Sequence, residues 1–268
     1  MGSKKILYVC QEVTPYLAET PESVLCRELV QAMQERGNEI RTFMPRYGLI
    51  NERRNQLHEV IRLSGMNLII DDNDHQLIIK VASIPAARVQ IYFIDSDDYF
   101  ARKAVLCDEN GEEFADNDER SIFFARGVLE TVKKLRWEPS VVHCHGWFSF
   151  LVVAYLRNTF ADDPIFKGCK IVLSFDGNGF KNPLDVEFMG KIENEGIGGD
   201  NIEVLKNPTY ENLCRYVLSF ADGVVIANED LGAEVEQMIR QSGKPVLEYQ
   251  SSKEADFFDN YDKFYDSL

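Results

Sequence analysis

The sequence predicts an α/β fold: a Rossmann-like, doubly wound and mostly parallel sheet with helices on both faces and a β-hairpin insertion. Two observations support this prediction. Short, continuously apolar runs such as Ile6 to Val9 are typical of strands that are buried on both faces. These runs alternate along most of the chain with segments of helical periodicity, which indicates crossover connections between parallel strands.

The composition is that of a well-packed domain. The chain has 268 residues, and 45% of them are hydrophobic, which is enough for a sizeable core. We predict one domain over residues 1–250 and an aromatic, acidic tail over residues 251–268. The net charge of −15 disfavours nucleic acids and anionic membrane surfaces as partners, because both are negatively charged themselves.

Cysteine usage and the N-terminus indicate a cytoplasmic protein. The six cysteines form no Cys-x-x-Cys pair, and several lie in apolar runs, as buried thiols do in a reducing compartment. The N-terminus shows no signal-peptide pattern. All apolar stretches are shorter than the roughly 18 residues that a membrane span needs, so we expect no membrane association.

Residues 5–44 predict a βαβ unit. A strand at Ile6–Val9 is followed by a loop with two prolines and by a helix that starts at residue 22 or 23. Gly37 ends the helix, and a second strand follows at 40–44. Two strands joined through one helix over so short a distance pair in parallel with a right-handed crossover.

The rest of the chain predicts a hairpin insertion and further strand–helix units. Short β-rich runs separated by polar turns lie at 60–63, 67–70, 77–84 and 89–94. Later strands at 141–144, 171–175 and 223–227 alternate with helices at 118–135, 147–160, 211–220 and 231–242. Residues 178–208 predict a long loop that can contain one short helix, and the aromatic spacing within 251–268 predicts a docking helix.

Three loops follow predicted strands at the edge where open parallel sheets bind ligands. They are residues 10–21, 143–147 and 174–179. The first loop has no glycine, Lys or Arg between Gln11 and Glu22 and carries several glutamates, so phosphate binding there is disfavoured.

The second loop leaves two interpretations open. His143 and His145 share one face of a strand, where they could bind a metal, or they could pack and cap the helix that begins at Trp147. We favour the structural role, because no acidic ligand lies nearby in the sequence. Cys144 points to the opposite face and is not expected to be catalytic.

The third loop is equally ambiguous, since Asp176 and Asn178 could contact a ligand or simply form a turn. We predict no metal site, no cofactor and no assignable catalytic residue. The candidate ligand-binding residues are His143, His145, Trp147, Asp176 and Asn178.

These loops resemble the starch synthase catalytic family of bacterial glycogen synthases, whose members are two-domain glycosyltransferases of the GT-B fold. Residues 5–17 (KILYVCQEVTPYL) are similar to the family's opening strand and loop. Residues 141–147 (VVHCHGW) resemble its Val-Val-His-x-His-Asp-Trp-His motif, and residues 218–228 (LSFADGVVIAN) resemble its Ala-Asp strand segment. The resemblance runs from about residue 4 to residue 242 and implies a single GT-B half, the N-terminal one.

The chain departs from the family at the positions that hold the donor. Family members carry Lys-Thr-Gly-Gly-Leu in the first loop, where the lysine meets the nucleotide's phosphates. The matching, degenerate donor loop here is Ala18, Glu19, Thr20 and Pro21, followed by Glu22. Loss of a charge-assisted phosphate contact costs about 1.5–3 kcal/mol.

Two further family positions also differ. Gly146 and Phe148 stand where the family has Asp and His, and that histidine lies against the transferred glucose in family members. The third loop reads Phe-Asp-Gly-Asn at 175–178 instead of the family's Val-His-Asn.

The resemblance implies two functional hypotheses. The first is a glycogen synthase-like pseudoenzyme that lacks independent transferase activity and acts as a glucan-binding or regulatory relative. The second is a glucosyltransferase that moves glucose from ADP-glucose to an α-1,4-glucan. It would need a separately encoded C-terminal domain, because the chain ends where that domain is expected to begin. The residue losses favour the first hypothesis, and the expected partner is an α-glucan or that C-terminal domain.

Overall fold

The structure, a computed structural model, describes residues 2–85 and 87–268. Its strands are β1 (Lys5–Cys10), β2 (Glu39–Pro45), β3 (His58–Glu59), β4 (Met66–Ile70), β5 (Asn73–Ile84), β6 (Val89–Asp95), β7 (Val141–His145), β8 (Lys170–Phe175), β9 (Gly223–Ile226) and β10 (Val246–Leu247). Its α-helices are α1 (Pro21–Glu35), α2 (Asp97–Phe100), α3 (Asn117–Leu135), α4 (Leu151–Arg157), α5 (Phe188–Asn194), α6 (Tyr210–Leu218), α7 (Ala233–Gln241) and α8 (Phe257–Ser267).

The sheet has the strand order β10-β9-β8-β7-β1-β2-β6-β5-β3, with β4 paired to β5. Neighbouring strands from β10 through β6 are parallel, whereas β3, β4 and β6 each pair with β5 in antiparallel fashion. The chain runs outward in opposite directions from β1 and β7, so these two strands flank the topological switch point. The predicted doubly wound sheet with a hairpin insertion is confirmed.

Strand β1 lies in the middle of the sheet and forms part of the core. Its residues Ile6 to Cys10 are fully buried one after another, so both faces of the sheet are covered at this point. Helix α1 packs against β2 and α8, and α3 packs against α4. A fully buried apolar side chain of this kind stabilises the fold by about 1.5–3 kcal/mol.

Some predicted boundaries are wrong for local reasons. Residues 60–63 form a turn rather than a strand, because Leu63 N–H donates to the Val60 carbonyl three residues back. The helix predicted over 147–160 begins as a 3-10 turn at Trp147–Ser149, and α4 ends at Arg157. Ser149 Oγ donates to two preceding carbonyls there and competes with regular helical bonding.

The C-terminal segment forms α8, which packs against α1 and β10. The side chains of Phe257, Tyr261, Phe264 and Tyr265 are buried, at the helical spacings of three and four that the sequence shows. Lys4 Nζ pairs with two aspartates of this helix, Asp262 and Asp266, each at 2.9 Å. No helix within the described residues is long and apolar enough to cross a membrane.

Candidate functional site

A pocket of about 360 Å³ opens at the switch point between β1 and β7. We call it the switch-point pocket. Loops that follow the parallel strands build it, and its lining comprises Pro21, Glu22, Leu25, His145, Gly146, Ser174, Asp176, Asn178, Ala227, Asn228 and Tyr249. In the described part of the chain, neither Lys nor Arg contributes to this lining.

The first loop caps its own helix instead of presenting amides to a ligand. Thr20 Oγ1 accepts a hydrogen bond from Ser23 N at 3.0 Å, and Ser23 Oγ accepts one from Thr20 N at 2.9 Å. Pro21 occupies the first helical position and has no N–H to donate. Thr20 Oγ1 also donates to Glu12 Oε2 at 3.0 Å. An anion would therefore meet a capped helix end beside a carboxylate.

Ala18, Glu19 and Thr20 of the degenerate donor loop do not line the pocket. Ala18 and Glu19 are exposed, and the Ala18 carbonyl accepts a hydrogen bond from Ser23 Oγ at 3.2 Å. Pro21 is the member of that set that lines the switch-point pocket. The loop thus offers the pocket a proline ring and no charged donor.

Glu22 turns its carboxyl into the pocket, although it lies in the first turn of α1. Its side chain is buried, and within the described residues its Oε1 atom has no hydrogen-bond partner. Burial, followed by repulsion from Asp176, Cys26 and Glu12, raises the pKa of Glu22 well above its usual value. Glu22 and Asp176 line the same pocket, so the two carboxyls are close neighbours.

Gly146 is required by this arrangement. Its φ is +75°, in the region that favours glycine, and a Cβ built there would overlap Glu22 Oε1 and the Gln11 side chain. The family motifs named above have Asp at position 146 and Leu at position 22. In this chain the carboxyl belongs to residue 22 instead of residue 146, and it occupies the space that a side chain at Gly146 would take.

The two histidines of β7 differ in their partners. His143 shares hydrogen bonds of 2.7 Å with Tyr265 OH through Nδ1 and with Ser174 Oγ through Nε2. Burial lowers its pKa well below the usual value, so the ring is neutral. The His145 ring lies 4.0 Å from that of His143, and burial lowers its pKa to about 3. Among the described residues, His145 Nε2 has no partner.

A metal site receives no support from this geometry. Over residues 2–85 and 87–268, no group of three or more His, Cys, Asp and Glu side chains is arranged to hold a metal ion. Burial raises the pKa of Cys144 well above its usual value, so its thiol stays protonated.

The third loop forms a turn that also lines the pocket. Asp176 accepts hydrogen bonds from the backbone N and from Nδ2 of Asn178, each at 3.1 Å. Asn228 Nδ2 donates to the Asp176 carbonyl at 2.9 Å and joins the loops after β8 and β9. The loop is therefore a turn that also holds the side chains of Asp176 and Asn178 at the pocket, so the two interpretations from the sequence are compatible.

The structure brings together part of the predicted residue set. His145, Asp176 and Asn178 line the switch-point pocket, whereas His143 and Trp147 lie beneath it. Sequence reasoning missed Glu22, Asn228 and Tyr249 as lining residues. For Glu22 the sequence did contain a signal. Glu22 replaces the family's leucine and Gly146 replaces its aspartate, and these two positions contact each other in the structure.

A broader and shallower depression of about 610 Å³ adjoins the switch-point pocket and shares Asn178 with it. We call it the open groove. Its lining includes Phe180, Lys181, Tyr210 and the start of α7. Trp147 packs edge-on against Phe180 with ring centroids 4.7 Å apart, so this predicted site residue supports the groove from below.

Comparison with known proteins extends these observations. The family model of the starch synthase catalytic domain matches residues 5–242. A glycogen synthase of Chlorobium luteolum is 35% identical over 196 residues, which cover 73% of this chain and 40% of that protein. A glycogen synthase of Chlorobium limicola is 34% identical over 208 residues, which cover 75% of this chain and 42% of that protein.

The fold has a counterpart among solved structures. The catalytic domain of starch synthase IV from Arabidopsis thaliana, solved with ADP and acarbose, matches with a TM-score of 0.74 at 14% identity. The match covers 93% of this chain and 52% of that one, and it shows that the fold is shared. This chain spans less than half the length of either Chlorobium glycogen synthase. By its sequence, the chain belongs to the starch synthase catalytic domain family.

Proposed function

We propose that this chain is a non-catalytic member of its family, a glucan-binding or regulatory domain without glucosyltransferase activity of its own. One observation carries the proposal: the pocket at the switch point is lined by carboxyls and by a self-capped helix end. A nucleotide diphosphate needs cations or unpaired amides at that place.

The charge of the pocket works against a diphosphate in two ways. The loop that would contact the phosphates has Ala18 at the position of the family's lysine, so one charge-assisted contact is missing. Glu12 and Asp176 lie close enough to Glu22 to raise its pKa, and a diphosphate placed beside these two carboxylates would be repelled. Together these effects exceed the roughly 1.5–3 kcal/mol of the lost contact alone.

The open groove supports glucan binding. Its lining offers polar groups to sugar hydroxyls, namely the Asn178 amide, the Lys181 ammonium and the Asp230 and Glu234 carboxylates. The rings of Phe180 and Tyr210 are largely buried and support the groove floor. Its shallow shape suits a chain that extends beyond the protein on both sides.

Transferase activity and donor binding are tested with radiolabelled ADP-glucose and glycogen. We expect no incorporation above a blank and no heat of ADP binding at millimolar concentration. A triple variant, Ala18→Lys with Thr20→Gly and Pro21→Gly, restores the family's cation and glycines. Its ADP affinity should rise at least about tenfold, the equivalent of one charge-assisted contact. Incorporation by the unaltered chain would contradict the proposal.

Glucan binding is tested by electrophoresis in gels that contain glycogen. We expect the chain to be retarded, and we expect Asn178→Ala to reduce the retardation because it removes an amide from the groove wall. Asn207→Ala is the matched control, since Asn207 is exposed outside the groove. Equal mobility of the unaltered chain with and without glycogen would contradict glucan binding, and the proposal would then be limited to a regulatory domain.

The alternative function is a glucosyltransferase that moves glucose from ADP-glucose to an α-1,4-glucan with a separately encoded C-terminal domain. The identity to full-length glycogen synthases supports it. Mixing the chain with the isolated C-terminal domain of such a relative distinguishes the two proposals. Incorporation that needs both components would favour this alternative over the non-catalytic proposal.

A further inference from the structure

We propose that the switch-point pocket binds a protonated primary amine. The proposal goes beyond glucan binding, because it concerns the switch-point pocket, which adjoins the open groove at Asn178, and requires neither a glucan nor a nucleotide. It rests on the hydrogen-bonding character of the lining, on the missing counter-charge and on the shape of the pocket.

Two buried polar atoms of the pocket have no hydrogen-bond partner among the described residues and can accept a hydrogen bond from a ligand. Glu22 Oε1 and His145 Nε2 both belong to side chains that are more than nine-tenths buried, and both lack a hydrogen-bond partner among the described residues. His145 is neutral, so one ring nitrogen can accept a hydrogen bond. An ammonium group has three N–H donors and no acceptor, which complements such a lining.

The pocket also lacks a positive charge. Asp176, Glu12 and Cys26 surround the Glu22 carboxyl from the loops and from α1, and His145 faces the same space from β7. Within the described chain, the pocket lining supplies no Lys or Arg to balance them. A bound cation would favour the ionised form of Glu22, so binding should release the proton that Glu22 holds in the empty pocket.

The mouth of the pocket fits an organic amine. Leu25 and the ring of Tyr249, which is 40% exposed, form the outer wall, and together they offer an apolar surface to the body of a ligand. The volume of about 360 Å³ admits a molecule of monosaccharide size.

The test is isothermal titration calorimetry with two matched ligand pairs. Glucosamine is compared with glucose, and Nα-acetyl-lysine amide is compared with the same compound acetylated at Nε. We expect each amine to bind at least about tenfold more tightly than its neutral partner. The stronger amine of the two identifies the source, an amino sugar or a lysine side chain. Titrations in two buffers of different ionisation enthalpy should show release of a proton on binding.

Three variants complete the experiment. Glu22→Gln keeps the shape of the side chain and should reduce amine affinity at least about tenfold and abolish proton release. Asp176→Asn is the second variant and should also weaken binding. Glu28→Gln removes an exposed carboxylate from the same helix and should leave binding unchanged. Melting curves verify that each variant is folded.

Several results would overturn the proposal. They are equal affinity for amines and their neutral partners, undiminished amine affinity in Glu22→Gln, or no binding of either amine. Because glycogen retardation is measured at the open groove, these results would leave the proposed glucan binding unaffected.

Discussion

His143 and His145 lie two residues apart on the same strand, and both are buried and neutral, yet they stand in opposite situations. Both nitrogens of His143 are hydrogen-bonded, one to Tyr265 and one to Ser174. His145 faces the switch-point pocket with Nε2 unpaired among the described residues. Native proteins leave few buried polar atoms unpaired, so the difference separates a histidine that serves the fold from one that is available to a ligand.

The difference arises from elements that are distant in the sequence. Tyr265 belongs to α8, and its hydroxyl bonds both to His143 and to Tyr8 OH, the latter at 3.0 Å. The C-terminal helix therefore completes the hydrogen bonding of the central strands. In the described part of the chain, no comparable element supplies a partner to His145 Nε2, and the residue lines the switch-point pocket.

Of the changes that test this difference between the histidines, removal of residues 251–268 should have the largest effect on stability, because it removes the tyrosine that bonds to His143. The deletion exposes the surface that Phe257, Tyr261, Phe264 and Tyr265 cover, and each such side chain stabilises the fold by about 1.5–3 kcal/mol. We expect the free energy of unfolding to fall by more than about 4 kcal/mol, measured by urea denaturation. Lys253→Ala, an exposed substitution in the same segment, is the control. An unchanged midpoint would show that α8 contributes nothing.

Tyr265→Phe makes His143 resemble His145. The substitution keeps the ring of Tyr265 but removes the hydroxyl that bonds to His143 Nδ1 and Tyr8 OH. Leaving buried partners unsatisfied costs about 1–3 kcal/mol, so urea denaturation should show a loss in that range. Tyr249→Phe is the control, because that tyrosine is 40% exposed. An equal loss in both variants would mean that the hydrogen-bond chain has no special role.

Glu22→Gln should have the smallest effect, and in the stabilising direction. Since the pKa of Glu22 is raised in the folded state, folding retains a proton that the unfolded chain releases. The stability that protonated Glu22 contributes is fully present below the unfolded pKa of about 4.3. It is lost as the pH rises through the folded pKa.

The glutamine variant removes that loss, so its melting temperature should exceed that of the unaltered chain at neutral pH. The gain should be about 1 kcal/mol and should disappear in acid. Glu28→Gln, on the exposed side of α1, should show no such pH dependence. If the variant were also more stable in acid, the gain in stability would not come from the ionisation of Glu22.

The sequence allowed much of the fold to be predicted, because apolar periodicity is a local signal. The buried run Ile6 to Cys10 and the helical spacing of α3 and α8 follow directly from burial on a strand or helix. The boundaries of α4 could not be predicted in this way, since Ser149 bonds backwards to carbonyls and shortens the regular helix.

The candidate site was predictable to a lesser degree. By itself, the sequence determined the sheet class, the three loops at its carboxyl edge and the loss of the donor loop's cation and glycines. Only the tertiary structure decided that His143 is satisfied by Tyr265, 122 residues away, and that Glu22 and Gly146 share one contact. The physical reason is that hydrogen-bond satisfaction and carboxyl pKa depend on distances between segments that are far apart in the chain.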